Sequence, residues 1–253
     1  MELLKIINEY FEKMIHGKRV ALVGPAKYMM SSGLGEEIDK HDVVIRINRS
    51  IETTKQYPDD VGTKCDVLYS CLIETAQNAG KIIPSQLKND YGVKFVVAPP
   101  ESQYNGVSHH TELHPMVNGQ TAQELMKTIP LRIVSHGFHT ELAKKVQCRP
   151  NTGFLAIYDL LNFNPSTLSI YGFSFYLDGF IPGCKSGVEK EKNVTEDEFA
   201  TMAFNSKRHV QKNMWQYAKD TLRNNPSVKL DSVLEVILNL EKLDKKLFSD
   251  AIK

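Results

Sequence analysis

From residue 2 to residue 16 the apolar side chains fall at Leu3, Ile6, Ile7, Tyr10, Phe11, Met14 and Ile15. Alternating steps of three and one put them on one stripe of a 3.6-residue helix, so the chain opens on an amphipathic helix packed against a core. Then the period changes. Short apolar runs follow at 20–23 (VALV), 43–47 (VVIRI), 66–69 (DVLY), 94–98 (KFVVA), 131–134 (LRIV) and 168–172 (LSIYG). They are rich in Val, Ile and Leu, the pattern of strands buried on both faces. Helical periodicity fills the stretches 121–129, 137–147, 153–162 and 207–223 between and after them. Strands alternating with helices predict an α/β fold with a mainly parallel sheet and helical crossovers. The closing stretch VKLDSVLEVILNLEKL predicts a short strand, an N-cap at Asp231 and a final helix.

No Pro/Gly/Ser linker divides the strands, so residues 1–253 are expected to form one domain. Its helical part closes the chain over 207–253. The segment 177–206 interrupts the compact pattern with Gly179, Pro182 and Gly183 and the charged run VEKEKNVTEDEF. A long polar insertion of that kind is either a mobile lid or a solvated loop.

Composition changes this picture mainly by exclusion. Lys and Arg number 31 against 30 Asp and Glu, so bulk attraction to nucleic acid or to an anionic membrane is not the working principle, although a local basic cleft stays open. No run approaches the ~18 apolar residues of a membrane-crossing helix, and no signal-peptide pattern opens the sequence. Cys65, Cys71, Cys148 and Cys184 are too few for a disulfide scaffold and lack zinc-site spacing. They are expected as free thiols in a reducing, cytoplasmic compartment, where the sequons at Asn48 and Asn193 go unused.

In an open α/β sheet, ligands bind outside the carboxyl ends of the strands. Three such junctions are built of small residues. Gly24, Pro25 and Ala26 follow the first strand, and a Ser/Gly-rich turn comes after them. This is neither GxGxxG nor a Walker loop, and a structural turn explains it as well as a nucleotide site does. Asn151, Thr152 and Gly153 open the helix FLAIYDLL, where Asn151 or Thr152 caps and the free N–H groups of the first turn suit an anion; plain capping is the simpler explanation. Gly172, Phe173 and Ser174 end the strand LSIYG. His109, His110 and His114 cluster with Glu112 but show no convincing metal spacing, and His136 and His139 flank a turn. His209 opens the stretch RHVQKNMWQYAKDTL. There a helix N-terminus favours the neutral imidazole of a general base, though a surface histidine is the simpler explanation.

Taken together, these stretches resemble the sialyltransferases of glycosyltransferase family 29. RVALVGPAKYMMSSGLGEEIDKHDVVIRINRS and DDVGT, within residues 19–63, are similar to the long sialylmotif; RPNTGFLAIYDLLNFNPSTLSIYGFSF, residues 149–175, is similar to the short one. His209 matches the histidine of the very short motif. The resemblance implies a Rossmann-like (GT-A variant) domain, a cytidine monophosphate (CMP)-sugar donor, a glycan or glycolipid acceptor, and no metal or other cofactor. Gly24, Pro25 and Ala26 match the loop along the donor nucleotide, and Asn48 matches the asparagine facing phosphate or ribose. Asn151, Thr152 and Gly153 match the loop that holds the phosphate and the donor carboxylate. Gly172, Phe173 and Ser174 match the turn near cytidine, and His209 matches the general base of an inverting transfer.

The chain departs from the family pattern at three places. Val20 and Asn164 stand where Golgi members carry a disulfide, as a reducing compartment allows. Glu191, Lys192, Asn193 and Val194 stand where a His-Tyr-Tyr-Glu-like motif is usual. Met214 replaces the glutamate of the very short motif, and a thioether neither carries charge nor accepts a strong hydrogen bond. The motifs recognise CMP, phosphate and carboxylate, so they fit CMP-sialic acid and CMP-Kdo alike. A nucleotide-binding module without transfer activity is the further alternative. Acceptor choice is expected in the loops 71–90, 99–120 and 177–206.

Overall fold

A computed structural model of the chain describes residues 2–100, 113 and 116–252. In chain order its elements begin with α1 (Glu2–Ile15), β1 (Arg19–Val23), α2 (Gly35–Asp39), β2 (Val43–Ile47), α3 (Pro58–Val61), β3 (Val67–Tyr69), α4 (Pro84–Asn89) and β4 (Phe95–Ala98). They continue with α5 (Gly119–Thr128), β5 (Leu131–Ile133), α6 (His136–Val146), α7 (Thr152–Leu161) and β6 (Thr167–Tyr171). The chain closes with α8 (Val188–Lys192), α9 (Glu196–Phe204), α10 (Gln211–Leu222), β7 (Val228–Leu230), α11 (Ser232–Asn239) and α12 (Lys245–Ala251). Each expected strand is present to within a residue or two at its ends.

The strands form one seven-stranded sheet in the order β5-β4-β3-β2-β1-β6-β7, and every neighbouring pair is parallel. Alternation within each strand divides its side chains between two hydrophobic layers. Val20 and Leu22 of β1, with Val43, Ile45 and Ile47 of β2, pack into one layer; Ala21 and Val23, with Val44, pack into the other. The continuous apolar runs exist because both faces are covered. Val20 is one of these core residues, fully buried.

The order also fixes where a ligand binds. After β1 the chain adds β2 to β5 outward on one side, then returns to lay β6 and β7 on the other. The loops leaving β1 and β6 therefore diverge, opening a crevice at their carboxyl ends.

Helix α1 buries a narrower stripe than its periodicity predicts. Phe11 and Ile15 are fully buried, whereas Ile6 and Tyr10 are about half exposed. Phe11 packs its ring against Tyr69, Phe95 and Phe163. Next to it lies a buried polar cluster. Arg132 of β5 donates to both oxygens of Asp159 on α7, at 2.6 and 3.0 Å, Tyr69 donates to the same carboxylate at 2.7 Å, and Asn8 accepts from Arg132 at 2.8 Å. Among the described residues, no helix is long and apolar enough to cross a membrane.

Candidate functional site

Gly24 leaves β1 against Gly172, which leaves β6. Gly24 N donates to Tyr171 O at 2.8 Å and Ala26 N donates to Gly172 O at 3.0 Å. A Cβ on Gly24 would strike the Gly172 carbonyl, and Gly172 itself sits at φ +72°. Both positions thus require glycine. Tyr28 and Asp231 clamp this junction. The Asp231 carboxylate accepts from the Tyr28 hydroxyl at 2.7 Å and from Gly172 N at 2.9 Å, while Tyr28 Oη accepts from Phe173 N at 3.0 Å. Asp231 also caps α11, through Leu234 N at 2.7 Å. On the other side Ile181 N donates to Pro25 O at 2.9 Å, and Ala26 bridges Phe180. The segment after β6 is therefore joined to the β1 loop along its wall.

Asn48 follows β2 at φ +46°, a conformation asparagine tolerates. Its Oδ1 accepts from Cys71 N at 2.9 Å, which leaves the amide NH2 group without a partner among the described residues. Asn151 is the N-cap of α7, its Oδ1 accepting from Phe154 N at 2.9 Å. Thr152 and Gly153 occupy the first two helical positions, whose N–H groups have no acceptor within the helix. Gly153 lies under the Phe173 ring, where a Cβ would come within 2.8 Å of it.

His209 precedes α10, which starts at Gln211 rather than at 207 as the periodicity predicts. What holds the imidazole neutral is burial, with Arg208 adding to it, not a helix dipole: its pKa is lowered to about 4. Nδ1 lies 2.7 Å from Arg149 O. A carbonyl only accepts, so Nδ1 carries the proton and Nε2 keeps its lone pair. His139, on the buried face of α6, is likewise lowered to about 4 by burial, with His136 and His209 adding.

These two groups predict an acid limb of stability. The unfolded chain takes up their protons from about pH 6.5 downward, the folded chain only near pH 4. Their contribution is therefore complete above about pH 6.5 and is lost as pH falls towards 4, by up to about 3 kcal/mol for each histidine. Denaturant titrations between pH 7 and 4 should show the decline, and His209→Gln should make it shallower. An unchanged slope in that variant would mean that His209 is not buried neutral.

Pro25, Ala26, Asn48, Asn151, Thr152, Gly153, Gly172, Phe173, Ser174 and His209 all line one cleft of about 480 Å3, and Gly24 stands behind its wall. Among the described residues that line it, Arg49, Arg149, Lys185 and Arg208 are cationic and none is acidic. An almost neutral chain thus gathers four cations, and no acid among the described residues, in a cleft at its topological switch point.

Sequence reasoning missed Lys185 and the aromatic wall of Phe180 and Phe199, because the polar composition of 177–206 masks a buried turn. It also missed Arg49, whose place in the cleft depends on contacts with Ser186, 137 positions away. Asp231 shows in sequence as a helix cap, but nothing there signals its second role. The aspartates near the long motif serve the backbone: Asp39 accepts from Thr63 N and Lys64 N, Asp42 pairs with Arg19, and Asp60 accepts from Gly33 N. None of Glu191, Lys192, Asn193 and Val194 lines the cleft, and Met214 is fully buried in the main core. His109, His110, Glu112 and His114 lie outside the described residues.

Residues 4–178 match the profile of glycosyltransferase family 29 (sialyltransferase). The human beta-galactoside alpha-2,6-sialyltransferase 1 is 34% identical over 110 residues, which cover 38% of this chain and only 26% of the human protein. Among solved structures, a mammalian sialyltransferase in complex with Gal-beta-1-3GalNAc-ortho-nitrophenol is similar at 18% identity and a TM-score of 0.43, over 77% of this chain and 67% of that one. The Campylobacter jejuni sialyltransferase CstII, in complex with the substrate analogue CMP-3FNeuAc, is similar at 12% identity and a TM-score of 0.45, over 74% and 75% of the two chains. With its profile match covering more than half of its length, the chain belongs to glycosyltransferase family 29, the sialyltransferases.

Proposed function

We propose that the protein is an inverting glycosyltransferase that moves sialic acid, or a related nonulosonic or ulosonic acid, from its CMP conjugate to a hydroxyl of a glycan or glycolipid. One observation carries the reading: bends far apart in sequence, at 24–26, 48, 151–153 and 172–174, meet around one cleft that also holds four cations and His209. In this reading Gly172, Phe173 and Ser174 lie along the cytidine. The N–H groups of Thr152 and Gly153, the Thr152 hydroxyl and the Asn48 amide face the phosphate, as preorganised donors do for a leaving group. The acceptor oxygen attacks the anomeric carbon as the bond from that carbon to the phosphate oxygen breaks, and CMP departs with the bonding pair. His209 Nε2 takes the proton of the attacking hydroxyl. A pKa of about 4 in the free protein makes a weak base; the negative charges of a bound donor raise it towards neutrality. No metal or further cofactor enters the proposal, because donors and cations of the chain meet the phosphate charge. A reducing, cytoplasmic setting belongs to the same reading and accords with four free thiols.

The test is calorimetric titration of CMP, together with CMP release from CMP-sialic acid and from CMP-Kdo in the presence of galactoside acceptors. Faster release from one donor assigns the sugar, and absence of CMP binding refutes the reading. Thr152→Val, which removes a cleft hydroxyl but keeps the helix, should weaken CMP binding roughly 10-fold; undiminished affinity would count against placing the phosphate at α7. The core position of Met214, where the motif glutamate is expected, favours a second reading in which the module binds cytidylate without transferring sugar. CMP binding without release from any donor would establish it.

A further inference from the structure

Lys185 lies in the turn before α8 and lines the same cleft, with only 8% of its surface exposed. Burying an ammonium costs several kcal/mol unless an anion or a full set of acceptors meets it. The protein supplies little of either. Nζ donates one hydrogen bond, to Gln77 O at 2.7 Å, and its other contacts are the rings of Phe180 and Phe199, with centroids at 5.3 and 5.9 Å. Among the described residues no carboxylate lies within ion-pairing distance of it.

The neighbouring groups sharpen the contrast. Arg49, on the same wall, is neutralised by Glu52 at 2.7 Å. Glu196 exerts a favourable field on Lys185, but its carboxylate is engaged by the backbone of Gly183 and Lys185. Burial pushes the ammonium below its ordinary range, and Arg49 adds to that; Cys184, Cys71 and Glu196 oppose it. Among the described residues, no oxygen or nitrogen acceptor meets the other two ammonium protons. A purely structural side chain here would be an aliphatic one of the same length, which fills the same space without the desolvation cost.

We infer that Lys185 is an anion-binding residue of the cleft, pairing with a phosphate or carboxylate oxygen of the CMP-linked sugar. The inference rests on the donor reading above and adds to it a residue outside both sialylmotif-like stretches. Lys185→Met and Lys185→Arg, each titrated with cytidine, CMP and a non-transferable 3-fluoro CMP-sialic acid, test it. Lys185→Met should keep the cytidine affinity of the wild type and lose roughly 10- to 100-fold for the anionic ligands. Loss already with CMP identifies the phosphate as the partner, and loss confined to the sugar conjugate identifies the carboxylate. Lys185→Arg should retain most of the affinity, and ligand-free Lys185→Met should melt no lower than the wild type. Equal loss for cytidine and CMP, or no loss for any ligand, overturns the assignment and leaves the donor reading standing. A wild type that binds no CMP overturns both.

Discussion

His209→Ala is expected to slow sugar transfer by roughly 10²- to 10⁴-fold, the usual contribution of a positioned general base, while CMP affinity changes little. The split follows from the geometry. Nδ1–H is committed to Arg149 O at 2.7 Å, so the ring is held in one tautomer with Nε2 as its only basic atom. Alanine removes that atom but leaves Asn151, Thr152 and Gly153, which α7 and its own cap hold in place. Single-turnover transfer to a galactoside acceptor measures the chemical step, and calorimetry measures CMP. Because binding anions should raise the His209 pKa, the pH profile of turnover should also lose its acidic limb in the variant. Unchanged turnover would remove His209 from the mechanism; a matching loss of CMP affinity would make it a binding residue instead.

Arg132→Met is expected to cost about 3–5 kcal/mol of folding stability, because it strands a buried carboxylate. Arg132 and Asp159 are 6% and 2% exposed, and Asp159 receives both guanidinium bonds and the Tyr69 hydroxyl. Without the arginine, the carboxylate must take up a proton or admit water. The double variant Arg132→Met/Asp159→Leu removes both charges and should recover most of the loss, a recovery that separates charge burial from lost packing. Urea unfolding of the wild type and the two variants measures it; a double variant no more stable than the single one would contradict the account. The pair also bears on the site. Asp159 sits two turns along α7 from Thr152, so it ties the helix that presents the Thr152 and Gly153 N–H groups to β5 at one edge of the sheet.

The layered α/β fold was legible because it is written in local periods. Unbroken apolar runs at 20–23 and 43–47 need both faces covered, and only a parallel sheet between helices meets that need simply. Gly24, Asn151, Gly153 and Gly172 stood out because tight bends and caps demand particular residue types. Motif likeness marks His209 but not its surroundings: the helical period runs on over residues 207–210, whereas a backbone carbonyl 60 positions upstream holds the ring. Lys185 was hidden for the opposite reason. Its neighbours are polar and charged in sequence, so nothing local marked a buried turn.

Sequence alone therefore determined the strands and the longer helices, the two-faced burial of the strands and the small-residue bends after them, since each depends on residues a few positions apart. The short helices α2, α3, α4, α8 and α9 carry too little periodicity to show. Tertiary structure decided the strand order, and with it the convergence of those bends. It also decided the tautomer and low pKa of His209, the Tyr28–Asp231 clamp across 203 positions, and the burial of Lys185 with no carboxylate in ion-pairing distance among the described residues. These are properties of desolvation and of contacts between distant segments. Burial by remote elements sets both, and no local pattern of residues records it.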